Sequence, residues 1–419
     1  MGKKILSFGL IVFLVTLQFL SGCISEQNTQ TTDISSENIQ LEADLKNFVN
    51  SSNDFTFSLY SKLNENNENL FFSPYSITLA LAMAAEGAGG QTKEEMTTVL
   101  DLPTNDSNRH LLIKSVAEQL SAQKQTANIS IANAYWLTEN GELKSAYQET
   151  IETFYLAYGE KLDFSGDSAG SAETINDWIE QKTNNKIKDL LSAGDISAAT
   201  YLILTNAIYF KADWKYQFDE NSTENKTFTS TDTTTLETPM MHMKDETKLL
   251  DYVEDEYTQL LQLDYDDENY SMYILLPKEN ISVLESQMSS TYLKELQMEL
   301  SSNYVEVFLP TFSFEQKYNL GAPLISLGMN TAFSSQADFS NISDYPLQLS
   351  GVIHQSYIKA DEQGTEAAAA TATILATSYP GEEPNTPILF EADHPFIFFI
   401  QHQHTGQILF MGKVETPNP

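Results

Sequence analysis

The chain has 419 residues with 23 basic and 58 acidic side chains, a formal charge of −35. A hydrophobic fraction of 41%, with 20 Tyr and 23 Phe, excludes a disordered chain and suffices for a large core. The single cysteine excludes a disulfide framework, and so acidic a surface argues against nucleic acid as a partner because it repels phosphate.

Lys3 and Lys4 precede an apolar run from Ile5 to Leu20, broken only by Ser7, Gly9, Thr16 and Gln18. A basic head, an apolar stretch and small residues in that order make an export signal. It ends Leu20-Ser21-Gly22-Cys23, which resembles the prokaryotic lipobox, whose cysteine is acylated and becomes the mature N-terminus. An ordinary cleavage site beside a chance cysteine, or an uncleaved anchor helix, are the alternatives; the position of the only cysteine favours lipidation at Cys23. Two acyl chains anchor stably where one is marginal, so the reading implies an extracytoplasmic protein held at the cell membrane. From Ile24 to about Leu41 the chain is Ser, Thr, Gln, Asn and Glu with little to bury, which predicts a flexible tether. Residues 1–22 are therefore the signal, 23–43 the tether and 44–419 the folded body.

Within that body Leu45, Phe48, Val49, Phe55, Leu59 and Leu63 recur at helical spacing. Ser73-Pro74 is an N-cap followed by the first helical position, where Pro is tolerated. The helix it opens, through Ala85, is apolar nearly all round and so predicted buried. Thr92 with Glu95 predicts a capping box for another helix. Asn128–Leu137 and Tyr201–Phe210 read as strands, and Ala172–Leu191 as an amphipathic helix carrying Ile175, Trp178, Ile179, Ile187 and Leu190. Further strands are expected at Met272–Leu276 and Val305–Leu309, then a hairpin of Phe396–Gln401 with Ile408–Val414. Helices early, strands late and no regular alternation predict an α+β fold in one domain.

Gly166-Asp167-Ser168-Ala169-Gly170 matches G-x-S-x-G, but the preceding strand is polar and the helix start is assigned to Ser171, so a surface loop is preferred to a nucleophile elbow. His402 and His404 share a strand face without a third ligand and are read as solvated turn residues. Asp264, Asp266 and Glu268 open like a calcium loop but lack its mid-loop Gly and its final Glu, which leaves a polar hairpin turn. No metal or cofactor is implied. Sequons at Asn50, Asn105, Asn128, Asn221, Asn225, Asn280 and Asn341 are possible glycan sites in a chain rich in Asn.

The most informative stretch is Glu362-Gln363-Gly364-Thr365-Glu366-Ala367-Ala368-Ala369-Ala370-Thr371-Ala372-Thr373. From Gly364 to Pro387 no amphipathic face is visible, which predicts a long exposed loop, and loops of that length are usually functional or disordered. Its residues are small. Thr365, Ala367, Ala369, Thr371 and Thr373 alternate, and could slide between two existing strands without overpacking what lies beneath.

From about Leu45 to Thr416 the chain resembles the serpins. Gly364–Thr373 is similar to the hinge of inhibitory members, and Phe390-Glu391-Ala392-Asp393-His394-Pro395-Phe396 to the signature that follows the reactive loop. Asn69-Leu70-Phe71-Phe72-Ser73-Pro74 with Ser76 matches the buried helix under the main sheet. Asn206, Phe210-Lys211 and Trp214 match a further family stretch, and His354 stands ten residues before Gly364.

The resemblance implies a serpin fold of three β-sheets with eight or nine helices and an exposed reactive-centre loop, and a monomer. It implies no enzyme but a serine protease inhibitor that works as a suicide substrate. The protease acylates itself on the loop, and before water hydrolyses the ester the cleaved loop enters the main sheet as a new strand. About 14 residues at ~3.3 Å each would carry the tethered protease roughly 45 Å. Glu362, Gly364, Thr365, Glu366, Ala367, Ala368, Ala369, Ala370 and Thr371 form the hinge by this reading. Glu362 and Trp214 stand where insertion begins, and Ser73, Ser76, Asn206 and His354 match the polar cluster that holds the sheet closed. The family spacing places the scissile bond at Ser378–Tyr379, with Thr377–Ser378 the alternative. Small Ala376, Thr377 and Ser378, and no Lys or Arg from Ala367 to Pro387, imply an elastase- or subtilisin-like target. A non-inhibitory serpin with a binding role is the alternative.

Overall fold

In the computed structural model the described residues are 30–64, 66–120, 126–365 and 386–417, with side chains from residue 40 onward. Chain order gives α1 (Gln30–Leu63), β1 (Leu70–Phe72), α2 (Pro74–Glu86), α3 (Gly90–Val99), α4 (Asp106–Leu120), β2 (Asn128–Thr138), α5 (Ser145–Phe154), β3 (Tyr158–Leu162), α6 (Ser168–Lys182) and β4 (Leu202–Asp213). Then follow β5 (Glu224–Thr229), β6 (Thr235–Met243), β7 (Leu249–Glu254), β8 (Thr258–Asp264), β9 (Tyr270–Pro277), α7 (Ile281–Gln287), α8 (Ser290–Met298), β10 (Ser301–Pro310), β11 (Phe312–Asn319) and α9 (Gly321–Leu327). The last elements are β12 (Ile353–Ala360), β13 (Gly364–Thr365), β14 (Ile388–Glu391), β15 (Phe396–His402) and β16 (Gln407–Val414).

The strands make a six-stranded sheet ordered β11-β12-β13-β4-β2-β3 and a larger one that runs from β1 through β16, β15, β9, β8, β7, β10 and β6 to β5. This is two sheets by hydrogen bonding among the described residues, not the expected three. The reason is β10, whose Ser301–Tyr304 pairs β7 while Val307–Pro310 pairs β6, so that one strand joins two blocks. β14 pairs β10 in parallel.

α2 packs against β4 of the smaller sheet and β16 of the larger. Its sequence is apolar on every side, and Leu79, Leu81, Ala82, Met83 and Ala84 are buried, as an internal helix requires. Phe71 bridges the same two layers: it stacks on Phe410 at 5.4 Å and meets Phe314 of β11 edge-on at 6.2 Å.

Several local expectations are corrected. α1 begins at Gln30, so the last dozen or so residues of the expected tether are helical; propagation outward from a packed helix around Phe48 needs no new nucleus. A division by compactness falls between Glu42 and Ala43. The expected capping box does not form: α3 starts at Gly90, at φ +50, which puts Thr92 inside the helix. Thr92 Oγ1 accepts from the Asp338 amide, and the Glu95 carboxylate accepts from Thr331 N–H and Oγ1–H instead.

α6 spans Ser168–Lys182, earlier and shorter than expected. Asp167 caps it through Gly170 N–H, and the left-handed Asn184 and Asn185 prevent its continuation to Leu191. Ile187 and Leu190 are buried all the same, in an irregular segment packed near Trp136 and Phe164. The His402 ring is buried, tilted against Tyr270 at 5.1 Å, and burial pushes its pKa down to about 4, so it is not a solvated turn residue. His404 is exposed.

Candidate functional site

β13 is only two residues long, yet it occupies the middle lane of the six-stranded sheet. Thr365 pairs with Ala360 of β12 on one side and with Ala212 of β4 on the other, both antiparallel. Two interstrand spacings, about 9.5 Å, therefore separate β4 from β12 at this level. Among the described residues these two strands are joined only through β13.

Glycine is required at 364 by contact: a Cβ there would come 2.2 Å from the Ala212 carbonyl oxygen and 2.7 Å from the Asp213 Cα. Thr365 is buried and shares a 2.6 Å hydrogen bond with the Tyr265 hydroxyl. Burial raises the pKa of that phenol, which keeps it neutral.

The turn before β13 is tied to the region after β4. Trp214 donates its amide to Gln363 O at 2.8 Å and its Nε1–H to Asp361 O at 2.9 Å. Its indole stacks on Tyr265 with ring centroids 4.7 Å apart. Glu362 accepts from Phe218 N–H through its carbonyl and from Thr223 Oγ1–H through its carboxylate. The Asp264–Glu268 segment is the hairpin turn between β8 and β9, and Asp266 N–H donates to Asp213 O, so this turn supports the same corner.

A polar chain crosses the sheet about six residues further down. His354 of β12 accepts the Ser73 amide on Nε2 at 3.0 Å, and burial drives its pKa down to about 3, so the ring stays neutral. Ser73 Oγ caps α2 by accepting from Ser76 N–H and donates to Leu409 O at 2.7 Å. Ser76 Oγ–H donates to Asn206 Oδ1, and Asn206 Nδ2–H to Asn133 Oδ1. Asn133 Nδ2–H ends the chain on Tyr155 O at 2.6 Å. The route thus runs from β12 through α2 to β4 and β2. A cavity of about 610 Å³ opens beside it, between α2 and the first residues of β4 and β12.

The structure brings Ser73, Ser76, Asn206 and His354 together as one network, and Glu362, Gly364, Thr365 and Trp214 as a second. Glu366, Ala367, Ala368, Ala369, Ala370 and Thr371, the bond candidates Thr377, Ser378 and Tyr379, and Cys23 lie outside the described residues. Three participants were not anticipated. Asn133 is signalled only by an amide in a mostly apolar strand, Tyr155 takes part through its backbone carbonyl, which no residue type signals, and Tyr265 carries no signal because its partner Thr365 lies 100 residues away. Ser168 heads α6 after all, but the strand before it, β3, pairs only with β2 among the described strands and is mostly exposed, unlike the buried strand a nucleophile elbow needs. Among the described residues no cluster of three or more His, Cys, Asp or Glu is placed to hold a metal.

Comparison with known proteins matches residues 50–417 to a family described as "Serpin (serine protease inhibitor)". The chain belongs to the serpin family. An uncharacterized serpin-like protein of Thermococcus kodakarensis is 39% identical over 427 residues, covering 97% of this chain and 98% of its own. The structure of human thyroxine-binding globulin complexed with thyroxine is similar with a TM-score of 0.79 at 30% identity, over 90% of this chain and 100% of that one. A structure described as cleaved Serpin 42Da has the same TM-score of 0.79, also at 30% identity. The family is one of inhibitors that catalyse no reaction of their own, and this chain is not an enzyme.

Proposed function

We propose that this serpin is a suicide-substrate inhibitor of an elastase- or subtilisin-like serine protease. The observation that carries the reading is the seating of Gly364 and Thr365 as the first two residues of a central strand between β4 and β12. The serine Oγ of the protease attacks the carbonyl of Ser378, expels the amine of Tyr379 and leaves an ester to Ser378; Thr377–Ser378 is the alternative bond. Residues from Glu366 onward then extend β13 down the lane. The small Ala367, Ala369 and Thr371 would face the core there, as Thr365 does, and strand addition outruns hydrolysis of the ester.

The test mixes the chain with subtilisin, an elastase and trypsin. A denaturant-stable complex with the first two, and a released peptide beginning at Tyr379 or Ser378, is the expected result. Cleavage without a complex and without a gain in thermal stability would instead favour a binding role. The likeness to thyroxine-binding globulin, solved with its hormone bound, supports that second reading.

We further propose that Cys23 carries a lipid anchor and that the chain works as a monomer outside the cytoplasmic membrane. Cys23→Ala should then move the protein from the membrane fraction to the soluble fraction on cell fractionation; retention in the membrane would refute the anchor.

A further inference from the structure

The cavity beside the polar chain has the size of a ligand site: about 610 Å³, within the roughly 300–1,000 Å³ that pockets for small molecules occupy. Its walls are mostly apolar, with Ile77 and Leu81 of α2, Ile203 of β4, Leu191, Phe339 and Leu347 among the lining residues. The polar chain borders it through Ser76, Asn206 and His354, and Thr200, Asn319, Ser335, Gln348 and Ser350 are further polar lining residues.

Where His354 and Asn206 line it, the cavity offers donors and no charge. His354 is buried, and its Nε2 accepts from the Ser73 amide, so the ring proton sits on Nδ1, where no described residue accepts it. Asn206 uses one Nδ2 hydrogen on Asn133, which leaves the second for another acceptor. The single charged residue among the described lining residues is Asp195, an exposed carboxylate already bonded to Ser192 N–H and Oγ–H. A buried imidazole donor beside a half-buried amide donor, with no cation among the described lining residues, suits a neutral carbonyl oxygen; a carboxylate would have to be desolvated without a counter-charge, and an ammonium would find donors where it needs acceptors.

We propose that this cavity is a binding site for a neutral, carbonyl-headed amphiphile, such as a medium-chain primary amide, with its oxygen on His354 and Asn206 and its alkyl body between α2 and Ile203. This goes beyond protease inhibition and does not depend on it, although the occupant would sit at the lower end of the lane between β4 and β12.

Equilibrium dialysis of decanamide against the uncleaved chain, without protease, tests it. The expected result is saturable 1:1 binding with a rise in the melting temperature. Octanamide, two methylenes shorter, should bind about fifteenfold more weakly, since each buried methylene changes affinity about fourfold. Decanoate and decylammonium should each bind at least tenfold more weakly than decanamide. Ala80→Met, which fills the cavity from α2, should reduce affinity at least tenfold, with Leu347→Trp as the second variant if the first does not fold. No saturable binding, equal binding of the charged heads, or undiminished binding by a folded filling variant would overturn the site. Failure to trap a protease would leave this result untouched, because the binding is read on the uncleaved chain alone.

Discussion

Gly364 lies against Ala212 so closely that a methyl group on its Cα would overlap the Ala212 carbonyl oxygen, at 2.2 Å. The clash is with backbone in the middle of a sheet, which a rotamer change cannot relieve. Gly364→Ala should therefore unseat β13 and lower stability by about 1–3 kcal/mol, the usual cost of overpacking. A urea midpoint unchanged from wild type would show that β13 is not held this way.

The register of β13 reaches further than its two residues. Thr365 is level with Ala212 and Ala360, and six more residues in the same register bring Thr371 level with Asn206 and His354, on the same face as Thr365. Thr371 lies outside the described residues, but an inserted strand would deliver it to the polar chain. Thr371→Arg would bring a long charged group to that buried point and should slow insertion enough for hydrolysis of the ester to win. The expected outcome is at least tenfold less denaturant-stable complex with subtilisin and correspondingly more cleaved inhibitor on denaturing gels.

Ser76 connects α2 to β4 by donating to Asn206. Ser76→Ala leaves the half-buried Asn206 Oδ1 short of its donor, at a cost of about 1 kcal/mol. Ser73→Ala should cost about 1 kcal/mol more, because Ser73 also caps α2. Urea unfolding of both variants beside wild type measures the difference, and equal effects would mean that the cap contributes nothing.

His354 gives the sheet a defined acid response. Its folded pKa is pushed down to about 3 from an ordinary value near 6.5, so the unfolded chain binds the proton first as pH falls. The stabilisation is present above about pH 6.5 and is lost progressively between there and pH 3. From pH 7 to pH 5 this residue alone removes about 2 kcal/mol. Acidification also relieves repulsion among the many carboxylates, so the contribution is read as a difference: wild type should lose about 2 kcal/mol more than His354→Gln over that range. Parallel losses in the two proteins would mean that His354 is not held neutral in the fold.

Much of the architecture was legible because burial leaves a direct mark on sequence. α2 and β9 are predominantly apolar, and both prove to be internal. Short polar segments were less legible. The start of α6 at Ser168 turned on an Asp167 side chain that caps Gly170, and its end on two asparagines in left-handed geometry, neither of which alters hydrophobic periodicity. The helical residues from Gln30 have no apolar face to announce them, and owe their helix to the packed segment that follows.

By itself the sequence determined the α+β class, the buried helix after Ser73 and the family, since each rests on residue size, polarity or order along the chain. Only the tertiary structure decided that Gly364 and Thr365 already sit between β4 and β12, and that two sheets merge through β10. It alone joined His354, Ser73, Ser76, Asn206 and Asn133 into one route across the sheet. The physical reason is distance along the chain. A hydrogen bond between residues more than a hundred positions apart depends on where the backbone brings them, and neither partner's local sequence records the other.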